Sequence, residues 1–141
     1  MVAYMSAAFA RFEQAAYALR AEGQALTVDR LNALCEAAVA KVWGDDVTDE
    51  LRSGKLWWAS LPHFVLARFY NYAYTFAFLL AAGLVAGSRE PGFAERYERF
   101  LTAGGSASPV ELMAVVGVDL GDSEIWNDGF AVLEGFVERM C

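Results

Sequence analysis

His63 is the only histidine of the chain. It follows Pro62, and three tyrosines, Tyr70, Tyr72 and Tyr74, come after it at alternate positions. The tyrosines fall at the start of a run of twenty residues without charge, Phe69 to Ser88. Imidazole and phenol groups can hydrogen-bond a polar substrate from apolar surroundings, and donors aimed at a developing oxyanion stabilise it. On one continuous helix Tyr70 and Tyr74 would share a face, with His63 two turns earlier on the same side and Tyr72 rotated away by about 200 degrees. One face would then gather an imidazole and two phenols. The same residues also fit a plainer role: a lone histidine beside an apolar helix is commonly a packed or capping residue, and a buried tyrosine hydroxyl only needs a partner.

Other chemistry finds less support. A catalytic zinc takes about three protein ligands around an open position, and the chain offers one histidine and two distant cysteines, Cys35 and Cys141. Nothing in the spacing of Cys35, His63 and Cys141 favours a shared metal, so no cofactor is expected in this chain. Two cysteines outside a CxxC pattern also give no disulfide framework, and a reducing cytoplasm is the expected compartment. Gly104-Gly105-Ser106 precedes a helix start but matches no nucleotide fingerprint, and a helix stop followed by a cap explains it. Trp57-Trp58 reads as packing.

Composition bounds the rest. At 141 residues the chain is expected to form a single domain, residues 1–141. Hydrophobic residues reach 57% and aromatics 14%, more than a domain of this size needs for its core, which points to apolar surface meant for a partner. A net charge of −7 with no basic cluster excludes nucleic acid and disfavours anionic membranes. The N-terminus lacks the basic start and apolar block of a signal peptide. Phe69 to Ser88 is long enough to span a bilayer, but Asn71, Thr75 and the tyrosines crowd its beginning, so a buried central helix is expected and not a membrane span.

Helical periodicity runs through the chain. Met5, Phe9, Phe12, Ala16 and Leu19 form one stripe, with Arg11, Glu13 and Arg20 on the polar side, and Gly23 ends the helix. Thr27 caps a second helix with Leu31, Leu34 or Cys35, Ala38 and Val42 inward, closed by Gly44. Residues 45–55 read as a polar connection. Pro62 opens a long helix to about Ala86. A fourth begins near Ser88 or Glu90, carries Phe93, Tyr97 and Phe100, and has Glu95 and Arg99 placed for an i,i+4 pair. Ser108-Pro109-Val110-Glu111 is a capping box. Ser123 or Asp122 caps a last helix bearing Trp126, Phe130, Leu133, Val137 and Met140. The expected fold is all-α, a bundle of about five to six helices around a buried central helix over about 62–86.

The stretch WWASLPHFVLARFYNYAYTFAF, with its HF step, five residues and then YxYxY, resembles the C-terminal part of the oligoendopeptidase F family of zinc metallopeptidases, relatives of thimet oligopeptidase. The resemblance extends through AAFARFEQAAYALRAEGQALTVDRLNAL, WGDDV and YERFLTAGGSASPVELMAVVGVDLGDSEIWNDGF, and so covers nearly the whole chain. Arg68, Asn71 and Ala77 depart from it, where proline, valine and glycine are usual. It implies that His63 and one or two of Tyr70, Tyr72 and Tyr74 contact the peptide around the scissile bond and polarise its carbonyl. The family's HExxH zinc helix and downstream glutamate are absent from this sequence. The resemblance thus implies the substrate side of a zinc peptidase acting on short peptides, truncated and inactive alone, with zinc belonging only to a complete enzyme. Expected partners are short peptides, a separately encoded metal-binding half or a second copy in a homodimer. The alternative expectation is a non-catalytic helical module for peptide binding or assembly.

Overall fold

A computed structural model describes residues 2–43 and 55–139. Among them are eight helical segments and no strand: α1 (Val2–Ala21), α2 (Val28–Trp43), α3 (Trp57–Ser60), α4 (His63–Leu66), α5 (Tyr72–Gly87), α6 (Phe93–Ala103), α7 (Pro109–Val115) and α8 (Glu124–Glu138). The all-α class is as expected. The chain divides into two compact units, Met1–Phe76 and Ala77–Cys141. The expected closure of α2 at Gly44, the connection over 45–54 and the stripe position Met140 lie outside the described residues.

In the first unit, α1 ends where predicted, for a specific reason. Gly23 takes a left-handed φ of 78°, open to a residue without Cβ. Its N–H then reaches Arg20 O and that of Gln24 reaches Leu19 O, so two terminal carbonyls are satisfied. Thr27 caps α2 as expected, its Oγ1 accepting from Arg30 N at 3.3 Å. The apolar stripes of the two helices meet: Met5, Ala8, Phe9 and Phe12 pack with Cys35, Ala38 and Val39. Phe64 of α4 closes on this core edge-on to Phe9 and Phe12, at ring-centroid distances of 5.6 and 5.0 Å. Phe64 is partly buried, so its burial contributes a fraction of the about 1.5–3 kcal/mol of a fully buried phenylalanine, and these contacts dock the segment bearing His63. Asn32 Oδ1 fastens the same segment, accepting from Trp58 Nε1 at 2.9 Å.

The single helix expected over 62–86 is interrupted. Ala67 leaves helical geometry at φ −141° and ψ 77°, Phe69 is left-handed at φ 58°, and the helix resumes only at Tyr72. A buried acceptor from α1 holds this break. Glu13 accepts from Phe69 N and from Asn71 Nδ2, both at 2.9 Å. Glu13, expected on the polar side of α1, is instead only 3% exposed. Nor is the resumed helix buried among the described residues: in α5 only Leu79 and Gly83 are buried, while Tyr72, Tyr74, Phe76, Phe78 and Val85 are exposed. A helix apolar all round needs cover on every side, and Leu79 and Gly83 mark the strip where that cover is complete.

That strip organises the second unit. Gly83 lies against Ile125 of α8, and Gly129 of α8 against the Leu79 carbonyl, so two glycines let the helices approach closely. The capping box forms as read from sequence. Ser108 Oγ accepts from Glu111 N, and Glu111 Oε2 accepts from the Ser108 hydroxyl at 2.7 Å and from Ser108 N at 2.9 Å; the hydroxyl first, and then the N–H, hold the Glu111 carboxyl below its usual range. Around α6 two details differ from expectation. Gly92, with φ 73°, and neither Ser88 nor Glu90, precedes the first residue of α6, and Arg96 pairs with Glu90 at 3.2 Å. At α8 it is Asp122 whose carboxylate accepts from Glu124 N, at 3.1 Å.

Candidate functional site

His63 is the first residue of α4, Tyr70 lies in the interruption, and Tyr74 is in the first turn of α5. The three side chains meet. His63 Nε2 is 3.1 Å from Tyr74 Oη. The His63 ring lies nearly parallel to that of Tyr70, with centroids 5.7 Å apart and an interplanar angle of 5°, and Tyr70 meets Tyr74 edge-on at 5.4 Å. Periodicity on one straight helix predicted this grouping; the structure makes it by folding the chain through a turn. Tyr72 stands apart, as its rotation implied, edge-on to Phe76 at 6.4 Å.

The cluster is a surface and not a buried core. His63 is half-buried, Tyr70 is 49% exposed and Tyr74 is 39% exposed. The hydrogen bond between His63 and Tyr74 leaves a donor in either tautomer: if Nε2–H donates, the Tyr74 hydroxyl hydrogen remains, and if Tyr74 donates, Nδ1–H remains. An imidazole, a phenol and the adjoining Tyr70 hydroxyl can therefore present donors to a carbonyl oxygen.

The zinc of the resembling family does not fit these residues. Among the described residues no three His, Cys, Asp or Glu side chains group so as to hold a metal ion. Cys35 is fully buried in the core between α1 and α2, where burial pushes its thiol up and a backbone hydrogen bond from Trp58 partly opposes this. Cys141 lies outside the described residues. A separate concavity of about 210 Å³ belongs to the second unit, lined by residues that include Gly83, Val116, Ile125, Glu90, Asp119 and Asp128; it shares no residue with the His63 cluster.

Glu13 and Asn71 escaped the reading from sequence. Asn71 carried a signal all the same, because a carboxamide inside an apolar run needs a partner once buried, and it is 3% exposed. Glu13 gave none, since a glutamate between apolar positions of an amphipathic helix ordinarily faces water.

The sequence matches the model of Peptidase family M3 over residues 2–132. It is 32% identical over 136 residues to "Oligoendopeptidase F homolog" of Lactococcus lactis subsp. lactis, covering 94% of this chain and 22% of that protein. Similarity to "Group B oligopeptidase PepB" of Streptococcus agalactiae is 32% over 134 residues, covering 89% and 21%. "Oligopeptidase PepF" of Bacillus subtilis is 30% identical over 118 residues, covering 82% and 17%. The chain spans about a fifth of the length of these curated relatives. No solved structure gives a significant match.

Proposed function

The chain belongs to peptidase family M3, and from that premise we propose that it forms the substrate-facing part of a zinc peptidase for short peptides and is inactive alone. The observation that carries this reading is the meeting of His63 with Tyr74 at 3.1 Å beside the stacked, half-exposed Tyr70. In the proposal these three side chains bind and orient a peptide carbonyl, and their donors strengthen as negative charge gathers on its oxygen. In this proposal the metal ligands and the base that activates water would come from the four-fifths of the relatives' length that this chain does not match. Tyr72 has no part at the oxygen, since it sits with Phe76.

A second reading, a non-catalytic helical module for assembly, is favoured by Val65 and Leu66, which are 73% and 81% exposed. One set of measurements separates the two. The purified chain is assayed for zinc after gel filtration, for cleavage of a quenched fluorescent peptide and for binding of the same peptide by fluorescence anisotropy. The expected result is no stoichiometric zinc, no turnover, and measurable binding that weakens about tenfold in both His63→Ala and Tyr70→Phe, the loss of one good hydrogen bond. Chelator-sensitive cleavage by this chain alone would overturn its inactivity. Absent binding, or binding untouched by both substitutions, would overturn the peptide site and leave the assembly module.

A further inference from the structure

Building on the site proposed above, we infer that Glu13 is a positioning residue whose buried carboxylate clamps the turn around Tyr70 and so sets the Tyr70 ring against His63. Glu13 lies on α1, far from the cluster in sequence, yet its two oxygens take donors from both neighbours of Tyr70. Oε1 accepts from the Phe69 N–H and Oε2 from the Asn71 carboxamide, each at 2.9 Å. Tyr70 itself makes only local turn bonds, its N–H to Ala67 O at 3.1 Å and its carbonyl from Ala73 N at 3.0 Å.

Phe69 at φ 58° occupies a conformation that crowds its Cβ against its own backbone. Such a residue stays there only when its surroundings hold it. Here the Glu13 carboxylate holds its N–H, and the ring packs tilted by 35° against Tyr17 of α1, with centroids 4.6 Å apart. Rotation of Phe69 back to ordinary extended backbone would turn the following residue, Tyr70, away from the parallel contact with His63.

The clamp calls for a carboxylate in particular. Both groups facing Glu13 are donors, and a carboxylate accepts on both oxygens, whereas a carboxamide would set its NH₂ against one of them. Burying the charge is costly without such bonds, and charge-assisted bonds of this type are the stronger kind. Exchanging the roles of the two side chains, Glu13→Gln together with Asn71→Asp, rebuilds the set: the new amide donates to the new carboxylate while its oxygen still accepts from Phe69.

The sole histidine supplies the readout. In the peptide-free chain, the His63 ring resonances in a ¹H–¹³C spectrum carry a shift from the Tyr70 ring, which Tyr70→Leu defines by removing it. Glu13→Gln is expected to abolish most of that shift, and Glu13→Gln/Asn71→Asp to restore it. A structural role alone would lower the melting temperature and leave the His63 resonances of the folded protein in place. That outcome, or an exchanged pair that stays displaced, overturns the inference. If Glu13→Gln does not fold, the exchanged pair decides: folded with wild-type His63 resonances supports the clamp, and unfolded or displaced overturns it. Since no peptide enters this measurement, a wild-type Tyr70 contact without peptide affinity would count against the proposed function and leave the clamp standing.

Discussion

Cys35 shows how differently two polar side chains fare in the same unit. His63 keeps a tyrosine partner and partial access to water, whereas the thiol is fully enclosed by the apolar faces of α1 and α2. Enclosure disfavours the thiolate, and this has a consequence for stability. The folded thiol stays protonated above the ordinary value of 9.0, while the unfolded chain ionises there. The unfolded state therefore gains from rising pH, and stability contributed below 9.0 is lost as pH climbs from there through the raised folded value. Urea unfolding of Cys141→Ser at increasing alkaline pH should show this loss, and Cys35→Ala in the same background should show less of it. An identical pH slope in both would mean that the thiol is not enclosed as described.

At the scale of elements, the crossing of α5 and α8 is the contact most sensitive to a single methyl group. A Cβ on Gly129 would come within 2.5 Å of the Leu79 carbonyl oxygen, and one on Gly83 would strike the Ile125 backbone and side chain. Alanine ordinarily gains about 1 kcal/mol over glycine inside a helix. Overpacking against backbone that cannot move aside costs about 1–3 kcal/mol, so the clash wins. Gly83→Ala and Gly129→Ala should each lower stability, by up to about 2 kcal/mol, in chemical denaturation, and Gly105→Ala, whose added Cβ meets nothing within 4 Å, serves as the control. A gain in stability from either helix substitution would show that the helices stand further apart.

On the scale of the whole molecule, exposed apolar side chains are the dominant fact. Val65, Leu66, Phe69, Tyr72, Phe76 and Phe78 are all exposed among the described residues. The chain matches about a fifth of its relatives' length, and under the function proposed above the rest of such a peptidase would be the cover for this surface. The isolated chain is expected to cover it with a second copy, and light scattering over a dilution series should show concentration-dependent dimers. A clean monomer that binds no apolar dye would contradict this. No helix among the described residues is long and apolar enough to cross a membrane.

What the sequence determined by itself was what depends on local periodicity and short spacing. The stripes of α1 and α2, the stop at Gly23, the capping box at Ser108 and the separation of Tyr72 from Tyr70 and Tyr74 each follow from neighbours within two turns, where chain geometry dictates who can meet. The family resemblance was legible as well, because its motifs lie in order along the chain. Only tertiary structure decided the interruption between Leu66 and Tyr72, the left-handed Phe69 and the burial of Glu13. Each of these depends on one carboxylate reaching residues more than fifty positions away, and no local pattern encodes such a contact. The same holds for the paired glycines of α5 and α8: within either helix a glycine reads as a weak point, and it becomes a packing requirement only when another backbone arrives against it.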